Sequence, residues 1–112
     1  MSVLLDQRHS SLNADDGRLA VTGEVGFEVA SAMAEAGGDW LVAQPSGSDV
    51  VFDLIGVDRV SSAALSVLLE WTRRAREAGL RVERVCLSPA LDSLTRVAGL
   101  DTLLPLKAPE GE

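Results

Sequence analysis

The chain has 112 residues, a formal net charge of -7, 46% hydrophobic and 24% charged side chains, which fits one soluble domain with a single core and excludes a wholly disordered chain. The acidic balance opposes a nucleic-acid phosphate backbone, since Arg73, Arg74 and Arg76 form only a local basic cluster. The longest N-terminal apolar run, Val3-Leu4-Leu5, is far short of a signal-peptide core or a bilayer span, so the sequence predicts a cytoplasmic protein without direct membrane insertion.

Ser10 to Ala14 and Arg18 to Thr22 read as two short strands joined at Asp15-Asp16-Gly17, residue types that tolerate the positive φ of hairpin turns. Leu19 and Val21 then share a face. From Phe27 to Ala36 the spacing of Val29, Met33 and Ala36 predicts an amphipathic helix, with Gly37-Gly38 as its stop. Asp39 to Ala43 either extend that helix past the glycines or form a separate turn, and the pattern supports both.

Val50 to Leu54 is the clearest strand. Apolar on both faces up to Asp53, it is expected in the middle of a sheet covered on both sides. A helix follows from about Ala63 to Ala78, with Ala64, Leu68, Trp71, Ala75 and Ala78 on one face and Gly79 at its end. The arginines of its last turns oppose the negative end of the helix dipole. Leu80 to Leu87 reads as a further strand whose imperfect alternation suggests a bulge, and it contains the single cysteine, Cys86. One cysteine excludes an internal disulfide and a cysteine-based zinc site, and its position reads as a small buried hydrophobe.

Ser88-Pro89 starts the last helix: the serine caps it and the proline suits its first position. Leu91, Leu94, Val97 and Ala98 are expected on its buried face, with Gly99 as a left-handed cap. Leu103, Leu104 and Leu106 are expected to pack back on the domain. The fold class is therefore α/β, a mixed sheet of about four strands with flanking helices. One domain spans 1–112, with its core at about 10–106 and a frayed tail at 107–112.

The junction after Val50 to Leu54 concentrates the polar chemistry of the chain. A buried strand delivers Ser61 and Ser62 to a helix start, where unpaired backbone N–H groups and the helix dipole favour an anion or a partner's acceptor. A serine at this place is also an ordinary cap, worth about 1 kcal/mol. Catalytic patterns are missing: there is no G-x-x-x-x-G-K-[ST] loop, no G-x-G-x-x-G turn, no H-E-x-x-H helix and no G-x-S-x-G elbow. The lone His9 lies near the N-terminus and is expected to be solvated. Asp53 and Asp58 could pair as acid and base, but no second catalytic element accompanies them, and Asp53 suits the orientation of a turn.

The stretch Asp53-Leu54-Ile55-Gly56-Val57-Asp58-Arg59-Val60-Ser61-Ser62-Ala63-Ala64-Leu65 resembles the D-L-S-x-V-x-x-(V/M)-D-(S/T)-(S/G)-G-L signature of STAS domains. Gly23-Glu24 resembles the family's early G-E-(L/V)-D turn, and Ser88 to Asp101 its closing helix, so the likeness covers about Arg18 to Leu104. The resemblance implies a STAS-like domain without catalysis or cofactor. It further implies a binding surface at Asp58, Arg59, Ser61, Ser62, Ala63, Ala64 and Leu65, with Ser62 as the possible phospho-acceptor.

Leu68-Leu69-Glu70-Trp71 and the arginines that follow are similar to the branch of the family that serves phospholipid-transport ABC systems. That branch implies docking on an ABC transporter ATP-binding subunit, assembled with its permease, at the cytoplasmic side of the inner membrane. The alternative is an anti-sigma-factor antagonist whose partner is an anti-sigma factor or serine kinase that phosphorylates Ser62. Four departures bear on the choice: Ser61 replaces the signature Asp, Ala64 replaces Gly, Ile55 replaces Ser, and Gly26 stands where the early turn carries Asp. Loss of the carboxylate beside Ser62 weakens a kinase-operated switch more than it weakens binding by shape.

Overall fold

The computed structural model describes residues 2–7, 9–59 and 62–99, and only the backbone of Asp58 and Arg59. The elements are β1 (Ser2–Asp6), β2 (Ser10–Asp15), β3 (Arg18–Glu24), α1 (Phe27–Val42), β4 (Asp49–Arg59), α2 (Ser62–Glu77), β5 (Arg81–Leu87) and α3 (Pro89–Val97). They form one mixed sheet in the order β1-β2-β3-β4-β5. The first two pairings are antiparallel and the last two parallel.

The hairpin turn forms where its residue types place it. Asp16 and Gly17 both adopt positive φ, 50° and 80°, the backbone twist that a two-residue hairpin needs. The sheet has five strands where the sequence predicts about four. The addition is β1, built on the Val3-Leu4-Leu5 run; it lies at the sheet edge, with Val3 63% exposed and its register broken between Val3 and Leu5.

In β4 the side chains of Val50, Phe52 and Leu54 are buried, while those between them, Val51 and Asp53, are half-buried and Ile55 is exposed. The expectation of cover on both sides is thus corrected: helices pack on one face, and the other keeps contact with solvent. The core joins these β4 residues to Leu12 of β2, Leu19 and Val21 of β3, Met33 and Leu41 of α1, Leu68 and Trp71 of α2, and Leu91 of α3. A register shift against β3, from Ala20 opposite Asp53 to Thr22 opposite Gly56, changes the phase of β4 so that Val57 returns to the core. A similar shift in β5 leaves Glu83 unpaired between Val82 and Arg84, which is the bulge its imperfect alternation suggests.

Helix α1 does not stop at Gly37-Gly38. It continues to Val42, because both glycines are buried contacts rather than a cap. Trp71 of α2 lies against Gly37, donates its indole N–H to the Ala34 carbonyl at 3.3 Å, and meets the Phe52 ring at 5.6 Å between centroids. Trp71 and Cys86 are buried, as their positions predict.

Helix α2 ends before Gly79, which has φ of 77°. At α3 the Ser88 hydroxyl accepts from the Leu91 N–H at 3.3 Å, with Pro89 next to the cap. Its buried face differs from the predicted one: Leu91 and Thr95 are buried, Leu94 is half-buried, and Val97 is 87% exposed. At 100° per residue, Val97 lies well off the stripe of Leu91 and Thr95. Thr95 satisfies its buried hydroxyl by donating to the Leu91 carbonyl at 2.8 Å. Leu103, Leu104, Leu106 and the 107–112 tail lie outside the described residues.

Candidate functional site

Strands β3 and β4 run parallel, so their C-terminal ends, and the helices that follow them, lie at one end of the sheet. The contact between Gly37 and Trp71 fixes how far each helix reaches towards that end. Phe27 starts α1 about 15 Å before Gly37, and Ser62 starts α2 about 14 Å before Trp71, at 1.5 Å per residue. The two helix starts therefore stand nearly level.

Ser62 is exposed at the first position of α2, and its carbonyl accepts the Ser66 hydroxyl at 3.2 Å. Helical spacing places Ser66, Leu69 and Arg73 on the same outward stripe, and all three are exposed, Leu69 by 37%. Ala63, Ala64 and Leu65 are only 1%, 1% and 6% exposed. Their side chains turn inward and anchor the helix start in the core. Ser61 and the side chains of Asp58 and Arg59 lie outside the described residues.

Asp53 has two structural partners. One carboxylate oxygen accepts the Ile55 N–H at 3.1 Å, and the other pairs with Arg18 at 3.2 Å. These contacts bend and tie β4 just before Gly56 and match the reading of Asp53 as an orienting group. His9 is exposed. Among the described residues no group of three His, Cys, Asp or Glu side chains could hold a metal ion.

Two apolar side chains at this end of the sheet stand open to solvent: Phe27 is 73% exposed and Ile55 56%. Gly26 caps α1 without any side-chain hydrogen bond, which follows from the absence of the family's Asp at that turn. Farther down α2, Glu70 binds both Arg73 and Arg74. The Arg73 guanidinium, with help from Arg74, holds the Glu70 carboxyl below the ordinary carboxylate range, and Glu70 in turn raises Arg73. The charged side chains of α2 are thus confined to its lower half, where Glu70 and Glu77 pair with Arg73 and Arg74, and the stripe above it, from Ser62 to Leu69, is uncharged. The sequence places the docking surface on the helix start from Ser61 to Leu69, a range that includes Ser66 and Leu69 without separating outward from inward positions, which the i, i+4, i+7 spacing from Ser62 does; nothing local marks Phe27.

The family model described as "Mlab, STAS domain" matches residues 9–105. The chain belongs to the STAS domain family. Its fold is also that of the crystal structure of an anti-sigma factor antagonist from Mycobacterium paratuberculosis, with a TM-score of 0.67, 26% identity, and coverage of 90% of this chain and 86% of that one. No curated protein sequence matches the chain. STAS domains are in general non-catalytic binding and regulatory modules that mediate protein-protein interactions. No helix among the described residues is long and apolar enough to cross a membrane.

Proposed function

We propose that this chain is a non-catalytic, MlaB-like binding subunit of an ABC-type phospholipid transport system. It docks on the cytoplasmic, MlaF-like ATP-binding subunit and supports assembly and activity of the complex, with its permease, in outer-membrane lipid asymmetry. The protein works peripherally at the inner membrane and takes no cofactor. The observation that carries this reading is the exposed, uncharged stripe that opens on Ser62 and runs through Ser66 to Leu69, flanked by the open Phe27 at a level helix start. Such a surface suits a partner's packed face. The family description, which names Mlab, supports the choice of partner.

The second reading is an anti-sigma-factor antagonist switched by phosphorylation of Ser62. It is favoured by the named likeness to such an antagonist and by the accessibility of the Ser62 hydroxyl. Against it stands Ser61 in the place of the signature carboxylate. Affinity purification from the native host separates the two. Recovery of an ABC ATP-binding subunit with a lipid permease supports the first, and recovery of a small serine kinase that phosphorylates Ser62 supports the second; recovery of neither contradicts both.

A further inference from the structure

We draw no further inference here: the strongest candidate, the helix-free face of the sheet around Val51 and Ile55, carries charges of both signs at Arg18, Asp53 and Arg84, and nothing in the structure shows what covers it.

Discussion

Gly37 of α1 lies directly against the indole of Trp71 on α2: a Cβ atom at Gly37 would come within 2.4 Å of the ring. The closeness is a consequence of having no side chain there, and it lets the indole N–H reach the Ala34 carbonyl. One glycine thereby sets the spacing of α1 and α2, and with it the level at which Phe27 and Ser62 stand at the end of the sheet where β3 and β4 finish.

Gly37→Ala should therefore destabilise the protein, although alanine favours a helix over glycine by about 1 kcal/mol. Forcing a methyl group into that contact costs about 1–3 kcal/mol, and the ring cannot move without disturbing its contact with Phe52. Gly38 gives the contrast: a Cβ there meets only the flexible end of Arg74, at 3.3 Å, so Gly38→Ala should be neutral or stabilising by up to about 1 kcal/mol. Chemical denaturation of the two variants, followed by tryptophan fluorescence, measures the difference. Equal loss in both would contradict the contact.

Gly23 is the position least tolerant of any side chain. Its φ is 91°, and a Cβ would lie on the His9 carbonyl oxygen. Gly23→Ala combines backbone strain of about 1–3 kcal/mol with displacement of the chain that closes the β2 and β3 pairing. Loss of several kcal/mol, or failure to fold, is expected in thermal unfolding; a fall of less than about 1 kcal/mol would contradict this geometry.

The cluster of Glu70 with Arg73 and Arg74 gives a pH dependence of known sign. Arg73, then Arg74, lowers the Glu70 carboxyl from its ordinary value, so the folded state binds that proton less readily than the unfolded chain. Its contribution is present above the unfolded-state value and is lost as pH falls through the lowered one. Carbon-detected NMR titration should place the Glu70 midpoint below that of an unpaired glutamate, and Arg73→Ala should move it back up. An unchanged midpoint in Arg73→Ala would show that the pairing does not hold Glu70.

Ser88→Ala should lower stability by about 1 kcal/mol through loss of the cap on α3, since the serine hydroxyl is buried and accepts the Leu91 N–H. Replacement by threonine or aspartate should recover part of the loss. Urea denaturation provides the comparison, and a fully stable Ser88→Ala would contradict the cap.

What was legible in the sequence was largely what is local. The hairpin at Asp16-Gly17, the Ser88-Pro89 start and the stop at Gly79 depend on a few adjacent residues, and each stands where its residue types place it. The path of α1 was not legible, because the helical cost of Gly37 and Gly38 is offset by a contact with Trp71, 34 positions away in the chain. Strand β1 was missed for a related reason: Leu4 and Leu5 are only half-buried, and β2 supplies the pairing that makes them a strand. At the candidate site the helix start and the exposed Ser62 were legible, whereas adjacency in a motif could not tell that Ala63, Ala64 and Leu65 turn inward while Ser66 and Leu69 turn outward.

The central claim is that Ser62 lies in a protein-docking surface, and affinity for the ABC ATP-binding subunit of the native host tests it most directly. Calorimetric titration of that subunit with the unaltered chain, Ser62→Ala and Ser62→Asp should show a small loss for alanine, within about fivefold, and a loss of about tenfold or more for aspartate. A lost hydroxyl removes one contact, while a fixed negative charge is buried against the partner's face. Equal affinity of both variants and the unaltered chain would contradict the placement of Ser62 in the docking surface.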